Sequence, residues 1–197
     1  MMVRFHMHQN FDVLRAIERL LIKGKLEEAK PLAAAIATAP DEPTHGPWAT
    51  YTVAIRDRAA AVARATDVGD ALRKTASLGG LCGTCHGELS VQLGVDAVPR
   101  LPPDTATLDG RMLRHRWAVD RLWEGVVGNS EPAWQAGLDV LVATPLDTLA
   151  DRAELARQLQ RQAKAARQPS AGTRVDRATS YGGILGTCAS CHTMKPR

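Results

Sequence analysis

The chain carries one sequence unit twice, and this duplication constrains its fold more than any other feature. Displaced by 105 positions, Met7 falls on Met112, Leu14 on Val119, Leu21 on Val126, Ile36 on Leu141 and Pro40 on Pro145. Displaced by 106, Gly80 falls on Gly186, and Cys82-Gly-Thr-Cys85-His86 falls on Cys188-Ala-Ser-Cys191-His192. One residue inserted in the second copy reconciles the two displacements. Each copy must then fold to the same order of elements, with its Cys-rich motif at the C-terminal end. The reading places one domain at 1–93 and a second at 109–197. Between them Pro99, Pro102 and Pro103 break any helix, which marks 94–108 as a linker.

Apolar residues recur at helical spacing through each unit, and four helices are expected per copy. In the first they cover about Met7 to Lys23, Leu26 to Thr38 (interrupted by Pro31), Thr50 to Thr66, and Asp70 to His86. In the second they cover about Arg111 to Val127, Glu131 to Val142, Asp147 to Arg167 and Thr173 to His192. Gly24 is the stop signal of the first helix, and Ser130 with Pro132 is the start signal of the sixth. Aromatic residues make up only 4% of the chain, so the aromatic and β-branched runs of strands are missing. The expected class is all-α, as two tandem antiparallel four-helix bundles.

All four cysteines lie in the two Cys-x-x-Cys pairs. A disulfide scaffold suits short chains with dispersed cysteines, and a thioredoxin-like site belongs in a βαβ setting. A four-cysteine zinc site would need two distant pairs to converge. Covalent haem explains the His that follows the second Cys in both copies. The two thiols form thioethers with the vinyl groups, and the adjacent imidazole becomes the proximal iron ligand. Cys82, Cys85, Cys188 and Cys191 are therefore the expected attachment points of two covalently bound haem c groups, with His86 and His192 as proximal ligands. Gly80 and Gly186, two before each motif, would allow close approach of the porphyrin. Only five residues follow His192, so the ligand on the opposite face of that haem is expected from upstream.

Four helices with Cys-x-x-Cys-His on the last resemble the class II cytochromes c, the cytochrome c′ group, taken twice in tandem. The residues that this group often carries just after the motif, an aromatic and a basic one, are kept only in part: Leu89 stands in one copy and Lys195 in the other. The resemblance implies an electron carrier rather than an enzyme, or, where the iron has an open position, a protein that binds small gases. It implies redox protein partners, pairing of copies as in many family members, and a periplasmic or exported location. No leader is visible at Met1 to Gly24. A dihaem peroxidase is the weaker third reading, because no distal acid–base set is evident.

The six-coordinate branch of that group takes its distal ligand from a Met at the start of the first helix. Met7, Leu14 and Leu21 are spaced by seven and share one helical face, as do Met112, Val119 and Val126. Met7 and Met112 are therefore the expected distal ligands, against the plainer reading of core methionines. Histidine competes. His115 lies three after Met112, on the same face, with Asn10 as its repeat counterpart. His6 and His8 flank Met7 but point elsewhere, and His45 sits in a Pro-rich loop. Trp117, Trp123 and Trp134 crowd the second copy, as packing residues at a haem edge or between the units, while the first has only Trp48. The net charge of +4 comes from 25 basic and 21 acidic residues spread along helices, which argues against nucleic acid as a partner. No stretch approaches the roughly 20 apolar residues of a membrane-spanning helix.

Overall fold

A computed structural model describes residues 2–39, 46–95, 97–146, 150–167 and 174–194. Among these residues the chain is all-helical, with eight α-helices and no strand. The first copy holds α1 (Met2–Ile22), α2 (Leu26–Ala37), α3 (Ala49–Ala63) and α4 (Val68–Glu88). The second holds α5 (Leu108–Val127), α6 (Glu131–Ala143), α7 (Ala153–Ala166) and α8 (Arg174–Thr193), with a 3₁₀ turn at Ala150–Arg152 before α7. The expected start of that helix at Asp147 lies outside the described residues. α1 begins well before Met7 because neither Gly nor Pro interrupts the chain from Met2 to His6.

Local chemistry sets the helix ends. Asp67 caps α4 by accepting from the Asp70 N–H at 2.8 Å, Thr107 caps α5 from Gly110, and Ser130 caps α6 from Ala133. α1 stops at Gly24, whose φ of +76° suits a residue without Cβ. There Lys25 N–H donates to the Leu20 carbonyl and Gly24 N–H to that of Leu21, the paired bonds of a Schellman motif. α4 ends in the same way just beyond its Cys-x-x-Cys-His segment. Val91 N–H donates to His86 O and Ser90 N–H to Gly87 O, but the left-handed position (φ 54°) is taken by Ser90.

Helix contacts close a ring within each copy: α1 packs on α2 and α4, α2 on α3, and α3 on α4. In the second copy α5 packs on α6 and α8, α6 on α7, and α7 on α8. Between the copies α4 packs along α8, its repeat counterpart, while α4 meets α5 and α1 meets α8. Small residues permit this approach: a Cβ on Gly182 would lie 3.2 Å from Arg73 Cα, and one on Gly79 would lie 2.6 Å from the Trp123 ring. Leu14 and Leu21 of α1 and Val119 and Val126 of α5 are buried, as their spacing predicts. They join Leu72, Leu78, Trp123 and Leu185 in one hydrophobic cluster that runs through both copies. The segment 94–108 is irregular up to Thr107 in its described residues, so the expected boundary falls on non-helical backbone while the core continues across it.

A polar network ties the copies together. Arg15 of α1 pairs with Glu18 at 2.6 Å and with Asp120 of α5, and the Tyr181 hydroxyl of α8 donates to Glu18 at 2.7 Å. Arg15 also lies over the Trp123 ring. Arg15 and Asp120 are 105 positions apart, so each meets its own repeat counterpart. Counterparts touch in this way only near the axis of a two-fold-like pairing. Identical residues would place like charges together there, and the divergence to Arg and Asp turns repulsion into an ion pair.

Candidate functional site

Helical spacing brings each Cys-x-x-Cys-His segment onto one helix face, since residues three and four apart are neighbours. Both segments are helical throughout, in the last turns of α4 and α8. Cys188 and Cys191 are half-buried and His192 is exposed. In α4, Cys85 is buried while Cys82 and His86 are half-buried. All four cysteines are free thiols. Burial, with the neighbouring thiol adding to it, pushes Cys82 and Cys188 up to about 12. Burial followed by the charge of Glu88 also raises Cys85. Cys82, Cys85 and Cys188 therefore remain protonated at neutral pH. Among the described residues no three or more His, Cys, Asp or Glu side chains are grouped so as to hold a metal ion between them.

The second segment opens onto a cleft of about 600 Å³, within the roughly 300–1,000 Å³ range of small-molecule and cofactor sites. Cys188, Cys191 and His192 line one wall, and Met112 and His115 of α5 line the cleft with them. Val119, Leu146, Leu155 and Leu159 supply apolar surface from α5, α7 and the loop before it. Basic groups border it: Arg116, Arg152, and, from the first copy, Arg19 and Lys23. A thioether-linked haem needs these parts: two thiols, an imidazole, a large apolar slot and cations for its propionates. The residues of this cleft fit that group. A Cβ on Gly186 would meet nothing within 4 Å, so this glycine borders open space and is not held by close packing.

His115 is buried, and its Nε2 bonds the Thr144 carbonyl at 2.7 Å. Since a carbonyl only accepts, Nε2 carries the proton. Burial lowers the pKa of His115 and this bond only partly offsets it, so the ring is neutral and engaged. Met112 is half-buried and faces the same cleft. Desolvation, then the charges of Arg152 and Lys23, lowers His192 below the ordinary imidazole range.

In the first copy Met7 is half-buried on α1, Asn10 is half-buried and His8 is exposed. His6 lies in the first turns of α1, and His45 falls outside the described residues. His86 Nδ1 lies 2.8 Å from the Val127 carbonyl at the end of α5. Trp123 is buried between the copies, 6.2 Å from the Phe11 ring and 6.0 Å from the Tyr181 ring. Trp134 is also buried, while Trp117 is half-buried beside Arg121.

Sequence reasoning missed the residues that one copy contributes to the other's site. Arg15, Glu18, Arg19 and Ile22 of α1, with Lys23 directly after it, line the second copy's cleft. Only the opposite charges of Arg15 and Asp120 at equivalent positions signalled this contact. Among the described residues no helix is long and apolar enough to cross a membrane. No family model, curated protein or solved structure matches the chain.

Proposed function

We propose that the chain is a dihaem c-type cytochrome of the class II kind, two tandem four-helix bundles that pass single electrons between redox partner proteins. The observation that carries this reading is the cleft where Cys188, Cys191 and His192 of α8 share walls with Met112 of α5. Covalent haem supplies the one-electron chemistry, and the protein supplies attachment, axial ligands and burial. Met112 is favoured over His115 as the distal ligand because Met7 stands at its counterpart position in the first copy, whereas the counterpart of His115 is Asn10. By repeat equivalence Met7 takes the same role opposite His86. A thioether ligand raises the potential relative to a second imidazole. Attachment of haem to such motifs occurs outside the cytoplasm, so the proposed location is periplasmic or exported.

The test is intact mass and absorption spectra of chain matured in a haem-attaching host. Two covalent haems, with low-spin spectra in both oxidation states, are expected. An unmodified mass overturns the reading. High-spin haem that binds carbon monoxide readily at both sites replaces the electron carrier with a gas-binding protein.

A further inference from the structure

We propose that the second copy builds the proximal side of the first haem site: the Val127 carbonyl of α5 accepts a hydrogen bond from His86 Nδ1–H and orients the imidazole with Nε2 as its free lone pair. The proposal rests on the haem reading for its consequence, but its geometry stands without it.

Val127 is the last residue of α5, and the last carbonyls of a helix have no partner within it. Val127 is itself buried, so its carbonyl needs a donor close by. His86 supplies one at 2.8 Å, across a sequence separation of 41 residues. A carbonyl cannot donate, so this contact selects the Nδ1-protonated tautomer and leaves Nε2 for a metal. The approach depends on Gly83 inside the motif: a Cβ there would lie 2.1 Å from the Val126 carbonyl. Any larger residue must push the end of α5 away from α4. Val127 is thus a positioning residue for a ligand in the other copy.

The second motif is built differently. Its residue matching Gly83 is Ala189. The corresponding end of α1 brings Ile22 and Lys23 to the cleft, and His192 has no hydrogen-bond partner among the described residues. Arg152 and Lys23 place positive charge near His192 instead. An Nδ1–H bond to a carbonyl makes a ligating imidazole more basic, which favours oxidised iron. Nearby cations favour the reduced state. Both differences have the same sign, and the first haem has the lower of the two potentials.

The full chain with ¹⁵N-labelled imidazoles tests the positioning directly. Without haem, His86 is expected as the Nδ1-protonated tautomer, and His192 as the Nε2-protonated form that free imidazole favours. An Nε2-protonated His86 overturns the proposal. In the haem-loaded chain, redox titration resolves two potentials, assigned with a variant lacking Cys82 and Cys85. Gly83→Ala should raise only the lower potential and leave the other in place. If both potentials move, if neither moves, or if the first haem has the higher potential, the proposal is overturned. Should Gly83→Ala fail to fold, the wild-type tautomer and the assigned order of potentials decide. Should no haem attach at all, the cytochrome reading falls while the tautomer still decides the positioning.

Discussion

Replacing Tyr181 with Phe isolates the polar contact that joins the copies beside the second cleft. The Tyr181 side chain is wholly buried, and its hydroxyl donates to Glu18 Oε2 at 2.7 Å. Phe keeps the ring, its volume and its packing 6.0 Å from Trp123, so what is lost is the hydroxyl, with its short bond to Glu18 and its longer contacts to Arg15 Nη1 (3.4 Å) and the Val119 carbonyl (3.5 Å). A bond to a charged partner contributes about 1.5–3 kcal/mol, and Glu18 is only 1% exposed. The expected loss is about 2 kcal/mol. For a chain of this size that lowers Tm by roughly 4–8 °C.

The pH dependence of that loss is a sharper test. Burial, opposed by Arg15 and by the Tyr181 bond, holds the Glu18 pKa above its ordinary value of 4.5. The folded state thus binds this proton more tightly than the unfolded chain does. Its contribution to stability is fully present below the ordinary glutamate pKa and is lost as pH rises through the raised one. Tyr181→Phe removes a group that lowers the pKa, so the variant should lose more stability above that range than below it. Urea denaturation of the full chain at several pH values measures both quantities. A loss below about 0.5 kcal/mol at neutral pH, or an equal loss at all pH values, refutes the reasoning.

Met112→Ala should open the second iron to carbon monoxide and lower its potential while leaving covalent attachment intact, and Met7→Ala should do the same at the first. An unchanged spectrum in both, with a change in His115→Ala or His8→Ala, would assign the ligands to histidine. Proteolysis within 94–108 should nick the chain yet leave fragments that co-elute, because one buried cluster runs through both copies; fragments that separate and stay folded would contradict that. Ser90→Gly should stabilise the chain by about 1 kcal/mol in denaturant, since Ser90 holds a left-handed position where a Cβ is unfavourable. No gain would show that the end of α4 is unstrained.

The eight helices were legible because each signal is local. Apolar spacing, the Ser130 cap, Gly24 at its positive φ and the proline-rich break at 99–103 act within a few residues of themselves, whereas the Thr107 cap that starts α5 at Leu108 appears only in the structure. The Cys-x-x-Cys-His motifs were legible for the same reason, since each is complete within five consecutive positions. The repeat also made Met7 and Met112 equivalent before any contact was known. What covers each motif is a long-range matter. That Val127 reaches His86, that Gly83 must be small, and that α1 borders the cleft of Cys188 depend on how α4 and α8 lie together. Helix pairing is decided by summed side-chain packing over distant segments, and no window of sequence contains that sum. Two nearly equivalent motifs therefore acquire different surroundings, a backbone carbonyl beside His86 and cations beside His192, through tertiary structure alone.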